Sequence, residues 1–218
     1  MMLSYINHNP KMSISKAYNA WANQYDSNQN KTRDLDKIAT KNTLSNYTFN
    51  RVLELGCGTG KNTTWLVGTA TEIIGIDFSK EMLEKAKTKI TDKKVRFIQG
   101  DLKEKWQVSD NYFNLITCSL TLEHIQDLET IFKQAVQKLK KEGLFFICEL
   151  HPFKQYTGSK ARFETKNGTQ TLEVYTHHIT KYLQCAKRNN LKLMELNEWF
   201  DSNNKNEIPR LVSFVFKK

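Results

Sequence analysis

The sequence predicts an α/β fold: a doubly wound parallel sheet with helices on both faces, in three layers. Three observations carry that prediction. Short apolar runs alternate with stretches of helical periodicity between residues 51 and 150, the grammar of a wound sheet. Each run is continuously apolar rather than alternating, as strands buried on both faces must be. The first run passes directly into Gly56-Cys57-Gly58-Thr59-Gly60, a strand–turn–helix junction of the kind that faces ligands in such sheets.

Taken in order, Ile14, Ala17, Tyr18, Trp21, Ala22 and Tyr25 share one helical face, so Ser13 to Tyr25 reads as a helix capped by Ser13 or Ser15. Asp34 to Tyr47 repeats the pattern more weakly. Strands follow at Arg51–Leu55, Glu72–Ile76, Val95–Gln99, Phe113–Cys118 and Leu144–Leu150, with helices at Lys61–Leu66, Ser79–Ile90 and Leu128–Leu139. His151-Pro152 stops the fifth strand. Asn167-Gly168 between Arg162–Lys166 and Thr169–Thr176 predicts a β-hairpin, because both central turn residues need positive φ. Ile179–Asn189 reads as a helix, and Leu191–Trp199 and Leu211–Phe216 as two last strands.

At 218 residues, 39% of them apolar, the chain is long enough for one domain and too short for two independent cores. Lys+Arg 33 against Asp+Glu 23 gives a net charge of +10, which raises a polyanionic partner. The excess is lysine, 27 against six arginines, whereas arginine is the residue suited to bidentate reading of phosphate and bases. No segment reaches the length of a membrane span, and the first residues lack a signal-peptide core. Cys57, Cys118, Cys148 and Cys185 contain no CxxC pair. Reduced thiols and a cytoplasmic location are therefore expected.

The junction Glu54-x-Gly56-x-Gly58-x-Gly60 brings backbone close to a ligand without Cβ collisions. A dinucleotide loop would want glycine or alanine where Lys61 stands, and Glu54 suits a cationic ligand better than a pyrophosphate. Asp77 ends the second strand, about 20 residues beyond the loop, where a carboxylate can accept from two hydroxyls. Asp101 follows the third strand. Both are also candidate helix or turn caps. Met82 and Leu102 are candidate ligand walls or plain core, and Cys57 and Cys118 read as small buried fillers.

These segments, in this order, resemble the motifs of class I S-adenosylmethionine (SAM)-dependent methyltransferases, with a small-molecule, methyltransferase-11/25-like core. Ile73-Ile74-Gly75-Ile76-Asp77-Phe78-Ser79, Phe97-Ile98-Gln99-Gly100-Asp101-Leu102, Phe113 to His124 and Leu139 to Phe146 are similar to the motifs on that family's second to fifth strands. The resemblance implies a Rossmann-like seven-stranded sheet of order 3-2-1-4-5-7-6, its last strand antiparallel. It implies one domain: a helical cap over 1–48, a SAM-binding core over 49–150, a substrate-side hairpin insertion over 151–178, and a C-terminal helix and strand pair over 179–218. Donor contacts would come from Tyr25, Glu54, Gly56, Cys57, Gly58, Gly60, Asp77 (ribose), Phe78, Met82, Asp101 (adenine), Leu102 and Ser119. S-adenosylhomocysteine (SAH) would be the product. Tyr25-Asp26 matches a Tyr-Asp pair on an N-terminal helix that folds over the donor, and an aromatic facing a sulfonium gains cation–π attraction.

The implied reaction is in-line displacement of the methyl group by an O or N atom of a small molecule. His124 and His151 are the candidate bases, histidine titrating near neutrality, and each is equally a candidate structural residue. Tyr18, Tyr156, Arg162 and His178 are candidate substrate contacts. The histidine spacings match no zinc pattern, so no metal is expected. The +10 charge keeps an RNA or tRNA acceptor open as the alternative, and a SAM-binding protein without transferase activity fits the same motifs. A monomer or a homodimer is expected, with no membrane partner.

Overall fold

Seven strands form one sheet: β1 (Arg51–Leu55), β2 (Glu72–Asp77), β3 (Val95–Gln99), β4 (Phe113–Ser119), β5 (Leu139–Leu150), β8 (Lys192–Trp199) and β9 (Leu211–Lys217). Two more, β6 (Arg162–Thr165) and β7 (Gly168–Thr171), pair as a separate hairpin. The order is β3-β2-β1-β4-β5-β9-β8, which is 3-2-1-4-5-7-6 once the hairpin is set aside. Neighbours from β3 to β5 run parallel, and β9 runs antiparallel to both β5 and β8. This computed structural model describes residues 14–27, 29–159, 162–165, 168–171 and 174–218.

Period-two alternation sends successive strand residues to opposite faces, and each face has its own core. On one face Leu53, Ile74, Ile116, Phe145 and Phe214 pack under α5 (Leu128–Lys138) and α7 (Ile179–Arg188). On the other, Val52, Ile73, Leu115, Phe146 and Val215 pack under α2 (Lys31–Leu44) and α3 (Thr63–Leu66). α1 (Ile14–Tyr25) builds a small cluster of its own, from Ala17 and Trp21, and it lies against α4 (Lys80–Lys89). Of the two helices expected to form a cap, α2 is thus a layer of the core. Among the described residues no helix is long and apolar enough to cross a membrane.

Several boundaries differ from the sequence reading for local physical reasons. α2 starts at Lys31 instead of Asp34, because the Asn30 side chain caps it by accepting from the Arg33 N–H at 3.0 Å; its first turn is polar and hides from hydrophobic periodicity. β5 begins at Leu139, five residues before the apolar run, and a bulge separates the pairs Phe113↔Leu139 and Leu115↔Leu144. The hairpin closes at Thr165↔Gly168, so Gly168 is a paired strand residue instead of a turn centre. Ser13, Asn167 and the Arg162 side chain lie outside the described residues. A five-residue helix, α6 (Pro152–Tyr156), and a 3₁₀ turn at Leu122–His124 were not foreseen.

Candidate active site

The glycine loop sits at the C-terminal end of β1, held by Gly56 and Cys57 N–H groups that donate to the Ile76 carbonyl at 2.8 and 3.1 Å. Gly56 has φ +66, and a Cβ there would lie 2.1 Å from Thr121 Oγ1. The loop after β1 and the loop after β4 are therefore in backbone-close contact. Gly58 differs: a Cβ there would meet nothing within 4 Å. That open space above exposed backbone is where a ligand can approach.

Asp77 ends β2 beneath this opening. Its Oδ2 accepts from Gly58 N–H and its Oδ1 from Ser79 N–H, both at 2.8 Å. Burial pushes its carboxyl up to about 6 against those two donors. A carboxylate accepts about four hydrogen bonds, so the same side chain that shapes the loop keeps acceptor capacity for a ligand hydroxyl. Glu54 is buried under α3, where Thr63 Oγ1 donates to it at 2.5 Å, and burial pushes it up to about 7. Phe78 meets Tyr18 edge to face at 5.7 Å. Ser79, not Asp77, caps α4 by accepting from Met82 N–H at 3.2 Å.

Met82 and Leu102 are 1% and 6% exposed and pack as core. Asp101 is exposed, accepts from Lys103 N–H at 2.9 Å and pairs with the Lys103 ammonium at 3.3 Å. Ser119 Oγ, at the end of β4, is buried without a hydrogen-bond partner among the described residues. Cys57 is wedged beneath Gly75, whose Cβ would lie 2.9 Å from its Sγ. Burial raises the Cys57 and Cys118 thiols well above their ordinary range, which makes both inert fillers.

A cavity of about 600 Å³ lies over the ends of β4 and β5. Tyr18, Trp21 and Tyr25 of α1, the first turn of α2 with Arg33, Leu120 and Glu123 after β4, Leu150 at the end of β5, and Arg210 line it. Sequence reasoning placed Tyr18 and Tyr25 at the site and missed the cations. Arg33 is buried, its guanidinium 4.2 Å from the centre of the Tyr25 ring and bonded to the Tyr25 carbonyl. The cation on Tyr25 in this structure is accordingly Arg33, where a ligand sulfonium was expected. Arg33 is anchored from below: Lys61 Nζ donates to its carbonyl at 3.1 Å and to buried Asp36 at 2.5 Å.

Tyr18 and His124, 106 positions apart, meet with Tyr18 Oη 2.8 Å from His124 Nε2. Glu123 Oε1 is 3.9 Å from the same nitrogen, and burial pushes its carboxyl up to about 7. Glu149 Oε1 accepts from Thr121 and Leu122 N–H groups at 2.9 Å, while its Oε2 is buried without a partner among the described residues. Burial pushes Glu149 up to about 8. α1 is tied down at two further points: Asp26 accepts from Thr59 Oγ1 at 2.7 Å and from Lys89 Nζ at 2.5 Å, and Ser79 Oγ bonds Asn19 at 2.6 Å.

His151 does not join this group. Its ring is fully buried, with Nδ1 accepting from Phe153 N–H at 3.2 Å to cap α6 and Nε2 3.1 Å from Glu198. Both nitrogens are engaged, and burial lowers the ring's proton affinity; His151 joins β5, α6 and β8 and is not placed as a base. Tyr156 and His178 pair with each other at 2.9 Å on the exposed surface, outside the cavity lining. His177 is bound to the Leu122 and Ile125 carbonyls. Among the described residues no three His, Cys, Asp or Glu side chains gather as metal ligands.

Comparison with known proteins agrees with this fold. Residues 53–147 match the methyltransferase domain family. The chain is 30% identical over 150 residues to demethylmenaquinone methyltransferase of Lactococcus lactis, which covers 64% of this chain and 59% of the relative. It is 31% identical over 138 residues to malonyl-[acyl-carrier protein] O-methyltransferase of Priestia megaterium, covering 61% of this chain and 49% of the relative. The chain thus spans about half the length of these curated relatives. The crystal structure of an S-adenosylmethionine-dependent methyltransferase from Clostridium acetobutylicum superposes with a TM-score of 0.69 at 20% identity, over 93% of this chain and 97% of that one. With the sheet order and the glycine loop at its centre, residues 53–147 of this chain match a methyltransferase domain and share the fold of solved S-adenosylmethionine-dependent methyltransferases.

Proposed function

We propose that the chain transfers a methyl group from SAM to an O or N atom of a small-molecule acceptor. One juxtaposition carries the reading: the open backbone at Gly58 beside Asp77 shares the C-terminal edge of the sheet with a 600 Å³ cavity. That volume lies in the range of small-molecule sites.

When bound, SAM supplies a methyl already made electrophilic by its sulfonium. The chain's part is alignment and exclusion of water, and alignment is worth up to about 7–11 kcal/mol of such a barrier. Gly56, Cys57, Gly58 and Gly60 present backbone to the donor, Asp77 and Asp101 meet its ribose and adenine, and Phe78 walls the base above the buried Met82 and Leu102. The orphaned Ser119 hydroxyl points to a further donor contact. Glu54 fixes the loop through Thr63. Tyr25 acts through Arg33, and Tyr18, with His124 beside it, faces the acceptor. On this reading residues 49–150 hold the donor, and residues before and after them select the acceptor. The four cysteines are buried free thiols, which fits a reducing, cytoplasmic setting; the working unit is a monomer or homodimer.

Calorimetry with SAH beside NADH tests the donor: SAH binding with no NADH binding is expected, and failure of SAH to bind overturns the reading. Transfer of labelled methyl from SAM into RNA, protein and metabolite fractions of a cell extract tests the acceptor. Label is expected in metabolites, and label confined to RNA overturns the small-molecule assignment.

A further inference from the structure

We propose that Tyr18 and His124 form a proton relay in which Tyr18 receives the proton lost by the acceptor and passes its own hydroxyl proton to His124. The inference rests on the methyltransferase reading above and narrows it. The acceptor is then an O–H or N–H nucleophile (hydroxyl, phenol or neutral amine) and not a carboxylate, which has no proton to lose.

The geometry divides the labour. Of the two residues, Tyr18 lines the cavity. Its hydroxyl stands 2.8 Å from His124 Nε2, and the rings meet edge to face with centres 5.4 Å apart. Phe78 packs on Tyr18 from the donor side at 5.7 Å, so the phenol sits between the donor's strand and the histidine. The titratable groups that act on Tyr18 electrostatically are Tyr25 from its own helix, Glu123 from the 3₁₀ turn, Asp77 from β2 and Glu149 from β5. Burial first, and then these neighbours, keep the phenol protonated. A protonated phenol cannot serve as a fixed base, but it can take a proton on its oxygen while releasing its own. Glu123, 3.9 Å from His124 Nε2, is placed to favour the imidazolium that results.

The step balances. The acceptor lone pair forms the new bond to the methyl carbon, and the carbon–sulfur bond breaks with its pair going to sulfur. The acceptor proton moves to Tyr18 Oη, the Tyr18 proton moves to His124 Nε2, and the bond pair left behind neutralises the acceptor. The sulfonium charge disappears as an imidazolium charge appears, and solvent later takes the proton from His124. The relay exists only while α1 is seated, since Tyr18 belongs to α1, which Asp26 and Asn19 tie to Thr59, Lys89 and Ser79. The cap therefore brings the relay with it.

The test uses the full chain, labelled SAM at saturation and the metabolite fraction of a cell extract, with SAH calorimetry on each variant. Tyr18→Phe and His124→Asn should each bind SAH and each lower methyl transfer about 100-fold or more, the scale of general-base catalysis. The double variant should be no slower than either single one. The wild-type rate should rise with pH through a histidine ionisation, and that rise should vanish in His124→Asn. If SAH does not bind the wild type, or no label enters metabolites, the methyltransferase reading fails and the relay with it. If SAH binds but Tyr18→Phe keeps both the wild-type rate and its pH profile, or the two losses multiply in the double variant, the relay alone is overturned.

Discussion

The donor loop and the acceptor cavity share one edge of the sheet but are built in opposite ways. The donor side comes from short, contiguous stretches: residues 56–60 after β1, and Asp77 with Ser79 after β2, joined by backbone hydrogen bonds to one carboxylate. The cavity draws side chains from segments far apart in the chain: α1, the start of α2, the ends of β4 and β5, the turn after α6, and Arg210 before β9. The first depends on backbone conformation and tolerates few residue types. The second depends on side chains held by long-range contacts, and it can change without disturbing the fold.

Two glycines of one loop give the sharpest way to break this comparison. Gly56→Ala forces a Cβ to 2.1 Å from Thr121 Oγ1 at φ +66, so the loops after β1 and β4 must part. Loss of SAH affinity by about 100-fold or more is expected in calorimetry. Gly58→Ala meets no neighbour within 4 Å and carries only the left-handed backbone cost of about 1–2 kcal/mol. Its fold should survive, with any further loss of SAH affinity arising from the ligand's own approach. Equal effects of the two substitutions would mean that the loop contact does not shape the donor site.

The buried pair that carries the cavity wall is the next largest. Asp36 is fully buried and accepts from Lys61 at 2.5 Å, Asn62 at 3.1 Å and Thr40 at 3.4 Å. Asp36→Ala leaves these donors unpaired and should cost about 3 kcal/mol, or about 6–12 °C in Tm, read by calorimetric melting. Because Lys61 follows the glycine loop directly and also holds the Arg33 carbonyl, this is one of the places where the two regions are bolted together. A melting shift under about 2 °C would show that they are not.

How much of this was legible follows the same division. The order of strands and helices, the glycine loop, Asp77 and the Ser79 cap were readable because each is set by a few neighbouring residues. β5 before Leu144 was not: Lys140, Lys141 and Glu142 look like a helix end and a turn, and the strand there is imposed by pairing with Phe113. Arg33 and Arg210 carried no signal, since a lone arginine on a polar turn reads as surface, and only the packed fold buries Arg33 against Tyr25. His151 misled for the opposite reason. A histidine at the end of a central strand looks catalytic in sequence, and Phe153 N–H and Glu198 absorb both its nitrogens only after β8 and α6 are in place.

A smaller effect sharpens the comparison through pH. Glu54 and Asp77 on the donor side, and Glu123 and Glu149 on the acceptor side, all titrate higher folded than free, because burial penalises their charged forms. The folded state then binds more protons than the unfolded one between about pH 4 and pH 8, so stability falls as pH rises through that window. Tm should drop by about 5 °C from pH 6 to pH 8.5, equivalent to about 1–2 kcal/mol. Glu149→Gln keeps an oxygen for the Thr121 and Leu122 N–H groups and removes the charge. It should raise Tm at pH 6 and raise it further at pH 8.5, and an equal shift at both values would assign the effect to packing.

The smallest expected effect marks where the acceptor side ends. Tyr156 is 58% exposed, and among the described residues its hydroxyl bonds to His178, itself exposed. The cavity lining begins one residue later, at Thr157. Tyr156→Phe deletes a surface hydrogen bond and should change stability by no more than about 0.5 kcal/mol, with SAH affinity untouched. If the cavity is the acceptor site, kcat/KM for methyl transfer into the metabolite fraction should change by less than about threefold, which corresponds to about 0.7 kcal/mol. A tenfold loss carried entirely by KM would instead extend the acceptor across the Tyr156–His178 pair. The acceptor region would then reach well past the buried residues that define it, while the donor region would stay where its backbone puts it.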